Sequence, residues 1–136
     1  MKLLPVIGLM SGTSADGIDA SLVFTDGKIL KRTNFNMMKS YTKKTKNKIL
    51  HILEFPKKNI KNLKLLRELE NEITLEHKKI ISKLIKISKI KPKLIGFHGQ
   101  TIFHDNVSKV SLQLGDGNML CNMLKTDIVY QFRKKD

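Results

Sequence analysis

The spacing of hydrophobic and polar positions changes along this chain, and the changes mark out its elements. Pro5 to Leu9 is an apolar run of the kind a buried strand presents, and it ends in the small-residue turn Met10-Ser11-Gly12-Thr13-Ser14. Ile18, Ala20, Leu22 and Phe24 then alternate with Asp19, Ser21, Val23 and Thr25, the period-two pattern of a second strand. Asp26-Gly27 follows at once. Asp-Gly between two strand patterns predicts a two-residue hairpin, because both positions tolerate positive φ. Lys28 to Met37 is the returning strand, so three antiparallel strands open the domain.

Beyond them the period lengthens. Ser40 to Phe55 predicts a lysine-laced helix that starts near Thr42 or Thr45 and closes before Pro56. From Leu63 onward Leu66, Leu69, Ile73, His77, Ile80, Leu84 and Ile87 step by three and four residues along one face. That predicts a long amphipathic helix to about Ser88, with Lys78, Lys79, Lys83, Lys86 and Lys89 outside. Leu94 to Phe97 reads as a strand, and its place after a long helix predicts a crossover into the same sheet. It stops at His98-Gly99-Gln100-Thr101. Val110 to Leu114 is a further strand and Gly115-Asp116-Gly117 a turn. Asn118 to Lys125 is a short helix with Asp116 or Asn118 near its start, and Asp127 to Phe132 is a last strand. The expected fold class is α/β: a mixed sheet that opens with a three-stranded antiparallel meander and carries packed helices. This order of elements resembles the ribonuclease-H-like half of actin-like kinases, an analogy from topology that fixes no function.

Composition narrows the class of partner. With 136 residues, 40% hydrophobic and 28% charged, the chain fits one globular domain with one core. The formal charge of +14 raises the question of nucleic acid, but its distribution answers otherwise. Residues 1–38 carry +1, residues 39–93 carry +12 and residues 94–136 carry +1, so the surplus belongs to the helical middle. Arg32, Arg67 and Arg133 are its only arginines, and lysine is the poorer choice for bidentate recognition of bases or phosphates. Aromatic residues are sparse and do not interleave with the lysines, which disfavours nucleic-acid binding. The single Cys121 offers neither a disulfide nor a zinc-site spacing, and no segment reads as a signal peptide or membrane span. A cytoplasmic location is expected, with no resident metal site.

The segment Gly12, Thr13, Ser14, Ala15, Asp16, Gly17, Ile18 and Asp19 joins the first two strands with glycines and hydroxyls. Exposed amides in such a turn form an anion-binding concavity to which Thr13 and Ser14 add hydroxyl donors. Any tight turn also uses Gly and Ser, so the residues alone leave a phosphate cradle and a plain turn equally open. The segment lacks the Gly-Lys-Ser/Thr of a P-loop.

In its wider setting, Ile7-Gly8-Leu9-Met10-Ser11-Gly12-Thr13-Ser14-Ala15-Asp16-Gly17-Ile18-Asp19 resembles the opening signature of the anhydro-N-acetylmuramic acid kinases. Ile95-Gly96-Phe97-His98-Gly99-Gln100-Thr101 with His104 is similar to that family's second block. Leu112-Gln113-Leu114-Gly115-Asp116 through Phe132-Arg133-Lys134-Lys135-Asp136 is similar to its third. The resemblance implies an actin-like sugar kinase holding ATP in a cleft between two domains. Such kinases phosphorylate 1,6-anhydro-N-acetylmuramic acid while water opens the anhydro ring, giving N-acetylmuramic acid 6-phosphate for cell-wall recycling. By resemblance Gly12 to Asp19 is the ATP-binding stretch, Mg2+ bridges the ATP phosphates, and Asp136 is the catalytic base on the attacking water.

Other polar residues divide by setting. His98, Gln100 and Thr101 are candidates for the sugar site, His104 and Asp105 read as loop residues, and Asp116 as a helix cap. His77 is expected in the core, His51 in solvent and Cys121 packed in its helix. Gln131 and Gly117 depart from the family's aspartate and proline at those places. Asp136 immediately precedes the family's Gly-Gly-Gln-Gly-Ala-Pro-Leu stretch. Residues 1–136 are therefore expected to be a single, truncated N-terminal domain lacking the second kinase domain and inactive alone. The alternative is half of a split kinase, active with a separately encoded C-terminal half; a basic nucleic-acid-binding module is the weaker reading.

Overall fold

The computed structural model describes residues 2–105 and 107–130. Three strands open it: β1 (Leu4–Met10), β2 (Gly17–Thr25) and β3 (Leu30–Ser40). Helices α1 (Lys43–Glu54), α2 (Pro56–Asn59) and α3 (Leu63–Ser88) follow. Strands β4 (Leu94–Phe97), β5 (Gln100–Asp105) and β6 (Val110–Leu114), helix α4 (Gly117–Leu124) and strand β7 (Asp127–Tyr130) complete it.

Five strands form a mixed sheet in the order β3-β2-β1-β4-β7, and β5 and β6 pair as a separate hairpin. The opening meander is antiparallel, whereas β4 runs parallel to both β1 and β7. This is the expected mixed sheet, entered from α3 by the predicted crossover. Alternation drives one face inward: Ile7, Leu9, Ile18, Ala20, Leu22, Ile95 and Phe97 are buried. They join one core with Ile49 and Ile52 of α1, Leu120 of α4, and Leu69, Ile73, Ile80, Ile81 and Leu84 of α3. Among the described residues no helix is long and apolar enough to cross a membrane.

The helix ends follow their caps. Thr42 is extended and its hydroxyl accepts from the Thr45 amide at 3.2 Å, which starts α1 where the sequence predicts. Thr42→Ala is expected to destabilise the chain by about 1 kcal/mol, read from denaturant unfolding. An unchanged midpoint would show that the cap contributes nothing. Asn62 caps α3 by accepting from the Leu65 amide, and Asp116 caps α4 by accepting from the Met119 amide.

Three expectations are corrected. Asp26-Gly27 does not make a two-residue hairpin: Thr25 pairs with Leu30, leaving residues 26–29 in the loop. The Asp26 carboxylate accepts from the Lys28 and Ile29 amides, and the Thr25 hydroxyl donates to the Ile29 carbonyl. These side chains satisfy a longer loop that the dipeptide signal ignores. His104 and Asp105 lie in β5 rather than in a loop, opposite Ser111 and Val110. Ile87, counted in the apolar stripe, is exposed in the last turn of α3. The last strand is described to Tyr130, so Gln131, Phe132, Arg133 and Asp136 lie outside the described residues.

Charge is partly buried on α3. Glu76 is buried against β3, with the Lys39 ammonium 2.6 Å from Oε2 and that of Lys79 3.2 Å from Oε1. Burial works to raise the Glu76 pKa, but the two ammoniums outweigh it and hold the carboxyl below its ordinary value. Lys79, Lys83, Lys86 and Lys89 are exposed, as the helical period requires, whereas Lys78, expected outside with them, is half-buried.

Candidate functional site

The carboxyl ends of parallel β1 and β4 bring the first two motifs together, the edge where open α/β sheets bind ligands. After β1 the chain turns at Gly12 to Ala15, closed by the Ala15 amide donating to the Gly12 carbonyl at 3.2 Å. Ala15 takes φ 57, and its side chain is fully buried. Gly12, Thr13 and Ser14 are exposed, and no atom lies within 4 Å of where a Gly12 side chain would begin. An anion therefore has open access to the turn and the Thr13 hydroxyl, while the Ser14 hydroxyl is shared with Asp16.

The remaining residues of the segment divide by burial. Ile18 is wholly in the core and Gly17 half-buried at the start of β2, so these positions shape the turn, while Asp16 and Asp19 are exposed. The Lys46 ammonium lies 3.0 Å from Asp16 Oδ1 and, with the Ser14 hydroxyl, holds that carboxyl below its ordinary pKa. A cation at the start of α1 thus sits beside the turn.

Gln100 ties the second motif to the first. Its amide nitrogen donates to the Gly12 carbonyl at 2.8 Å and to the Thr101 carbonyl at 3.0 Å, while its oxygen accepts from the Tyr41 hydroxyl at 3.0 Å. Ser11 adds a hydrogen bond to the Gly99 carbonyl at 2.9 Å. Gln100 is fully buried, so it acts by fixing the turn's backbone. Thr101 is also buried, its hydroxyl accepting from the Gln113 amide at 3.3 Å. Burial pushes the Tyr41 pKa up to about 12, so the phenol remains a donor.

Of the three proposed sugar-site residues, His98 alone lines an adjoining cleft of about 240 Å³, with Glu70, Ser111, Gln113, Gly115 and Tyr130. Its Nδ1 lies 3.1 Å from the Gly99 carbonyl. Gly99 reverses the chain at φ 81, and a side chain there would run into the Leu114 carbonyl. Glu70 accepts from the Gly115 amide at 3.1 Å, and the Thr74 hydroxyl accepts from the Asp116 amide at 3.0 Å. Helix α3 thus holds the far wall of the cleft. A side chain on Gly115 would collide with the Phe97 ring beneath it.

Sequence reasoning missed Glu70, Ser111 and Tyr130. The alternation of β6 carries a signal for Ser111 and Gln113, which fall on one face of that strand. Glu70 gives none, being one of several charges on a helix. Among the described residues no three His, Cys, Asp or Glu side chains gather as a metal site. Asp136, the residue assigned to catalysis by resemblance, lies outside the described residues.

The anhydro-N-acetylmuramic acid kinase family model matches residues 4–136. The chain is 40% identical over 139 residues to the anhydro-N-acetylmuramic acid kinase of Pelagibacter ubique, covering 99% of this chain and 37% of that protein. It is 35% identical to the enzyme of that name from Rhodospirillum rubrum, covering 96% of this chain and 34% of that protein. The corresponding Brucella suis protein is 36% identical, with 96% and 36% covered. The chain thus spans little more than a third of the length of these relatives. Ordered motifs that meet at one edge of an α/β sheet, and a family match across nearly every residue, establish that the chain belongs to the anhydro-N-acetylmuramic acid kinase family.

Proposed function

We propose that this chain is the phosphate-holding part of an ATP-dependent kinase for 1,6-anhydro-N-acetylmuramic acid. In that reaction water opens the anhydro ring, and the product is N-acetylmuramic acid 6-phosphate, an intermediate of cell-wall recycling in the cytoplasm. The observation that carries the reading is the exposed Gly12–Ser14 turn beside the His98 cleft, at the carboxyl edge of parallel strands.

ATP supplies the phosphoryl group when bound, and Mg2+ neutralises charge on its phosphates. The turn fits that ligand: it has space at Gly12, hydroxyls at Thr13 and Ser14, and the Lys46 ammonium beside Asp16. Ala15, Gly17 and Ile18 hold the backbone, with Asp16 and Asp19 on the solvent side. His98 faces the sugar, while Gln100 and Thr101 keep the two walls in register. Asp136 takes a proton from the attacking water.

Phosphoryl transfer depends on positioning its reactants and excluding water, which needs a second cleft wall. We therefore assign activity to the assembly of this chain with the C-terminal portion that the relatives carry, whether that portion is joined to it or separately encoded. A chimera of this chain and the C-terminal portion of the Pelagibacter ubique relative is expected to form the sugar phosphate, read by mass spectrometry, and the chain alone to form none. Asp136→Asn in the chimera should lower turnover by about a hundredfold or more, with ATP affinity unchanged. No product from the parent chimera overturns the kinase reading, and unchanged turnover removes Asp136 from the role of base.

A further inference from the structure

The hydrogen bonds around the His98 cleft decide which kind of group it can receive. Its donors are spent within the chain. The Gln113 side-chain amide donates to the Thr101 hydroxyl and to the Ser111 oxygen, and the Ser111 hydroxyl gives its own hydrogen to the Phe103 carbonyl at 3.4 Å. The Tyr130 hydroxyl donates to the Asn118 side-chain oxygen at 3.1 Å. On the far wall the Gly115 amide goes to Glu70 Oε2 and the Asp116 amide to the Thr74 hydroxyl.

Acceptors remain. Glu70 and Gln113 both line the cleft, and among the described residues neither Glu70 Oε1 nor Gln113 Oε1 has a hydrogen-bond partner. Glu70 is half-buried, and the Gly115 amide fixes one side of its carboxylate, so the unused oxygen is held in place. Free groups that only accept, one of them a carboxylate, receive donors and repel anions. A phosphate or a carboxylate would meet repulsion against α3, whereas a hydroxyl or an amide N–H would be bound. At about 240 Å³ the cleft falls below the roughly 300–1,000 Å³ of a whole ligand site, so it takes one side of the sugar.

We propose that Glu70 is the specificity-determining residue of this cleft. Its Oε1 accepts a hydrogen bond from the free ring hydroxyl of the anhydro sugar while Oε2 stays on the Gly115 amide. Gln113 Oε1 adds an acceptor for the N–H of the sugar's acetamido group. The lactyl carboxylate of the sugar then faces away from α3, because Glu70 would repel it. The inference rests on the kinase reading above and adds to it which side of the sugar this chain reads.

Glu70→Gln in the chimera with the Pelagibacter ubique C-terminal portion provides the test. Glutamine keeps the length of the side chain and can still accept from the Gly115 amide, but it presents N–H groups where the sugar needs an acceptor. The KM for the anhydro sugar should rise about tenfold, with the KM for Mg·ATP within about twofold of the parent and the thermal midpoint unchanged. A sugar analogue lacking the free ring hydroxyl should lower kcat/KM of the parent by about tenfold. The variant should lose almost nothing further on that analogue, because the same bond is already gone. A sugar KM that Glu70→Gln leaves unchanged overturns the proposal, as does an analogue penalised equally in parent and variant. Should the variant fail to fold, the parent decides: equal kcat/KM for sugar and analogue overturns the proposal, and the tenfold loss sustains it. Absence of product from the parent chimera overturns the kinase reading and this proposal with it, whereas product with an unchanged sugar KM in the variant overturns this proposal alone.

Discussion

Gln100→Leu is expected to destabilise the chain by about 3 kcal/mol and to lower its thermal midpoint by about 10 °C, although the substitution nearly preserves volume. The loss is in hydrogen bonding. Leucine cannot donate to the Gly12 and Thr101 carbonyls or accept from the Tyr41 hydroxyl, and all three groups lie around a fully buried side chain. The Gly12 carbonyl keeps the Ala15 amide, so the loss falls on the groups at Thr101 and Tyr41, and a buried polar group left without a partner costs about 1–3 kcal/mol. Tyr41→Phe removes one of the orphaned groups along with its bond, so alone it should cost about 1 kcal/mol. The double variant should cost less than the sum of the singles, as coupled neighbours do. Urea unfolding of the four proteins decides the matter. If Gln100→Leu leaves the midpoint in place, or the two changes add, then Gln100 does not fasten the motifs together. The turn is held through Gly12, so loss of this bond should also weaken Mg·ATP binding by the chimera relative to the parent.

That network illustrates what the sequence could show of this molecule. The extent of α3 was legible because a three-and-four stripe runs along it; in the structure Asn62 caps its start and a left-handed Lys89 ends it. Strands β1, β2 and β4 were legible because one face is buried and alternation, or an apolar run, reports it. Strand β5 was not. It opens with Gln100, Thr101 and Ile102 buried in succession, broken by a register shift before Phe103, so neither apolar content nor alternation marks it. The burial of Glu76 on α3 was hidden for a related reason: its compensating charge, Lys39, lies on strand β3 and is adjacent only after folding. The exposed glycine turn could be named from residue types alone. The wall of the cleft could not, because Glu70 meets Gly115 across 45 positions of sequence.

The second large effect concerns acid stability. His77 is buried in the core, with Nδ1 2.8 Å from the Ile73 carbonyl and its ring edge-on to Phe97 at 4.8 Å between centroids. Nδ1 therefore carries the hydrogen and donates it, and the buried Nε2 has no hydrogen-bond partner. Protonating Nε2 would place a cation in the core. Burial pushes the pKa from 6.5 to about 4, against the weaker opposing pulls of the Ile73 carbonyl and the Glu76 carboxylate. Between those values the unfolded chain binds a proton that the folded chain refuses, so stability rises with pH there. The contribution is complete above pH 6.5, falls as pH drops toward 4, and amounts to about 3 kcal/mol over that window. The carboxyls of Asp16, Asp26, Asp105 and Glu76 are shifted downward from 3.8 or 4.5, so the stability they lend is lost mainly below the His77 window. Urea unfolding at pH 7.5 and 4.5 should therefore separate the parent from His77→Phe. The variant begins less stable, because it lacks the bond to Ile73 and overfills the space against Phe97, but it should lose about 3 kcal/mol less on acidification. Equal losses in the two proteins would mean that another group governs the acid limb. The comparison is one of slopes, so it stands even if the larger ring repacks the core at both pH values.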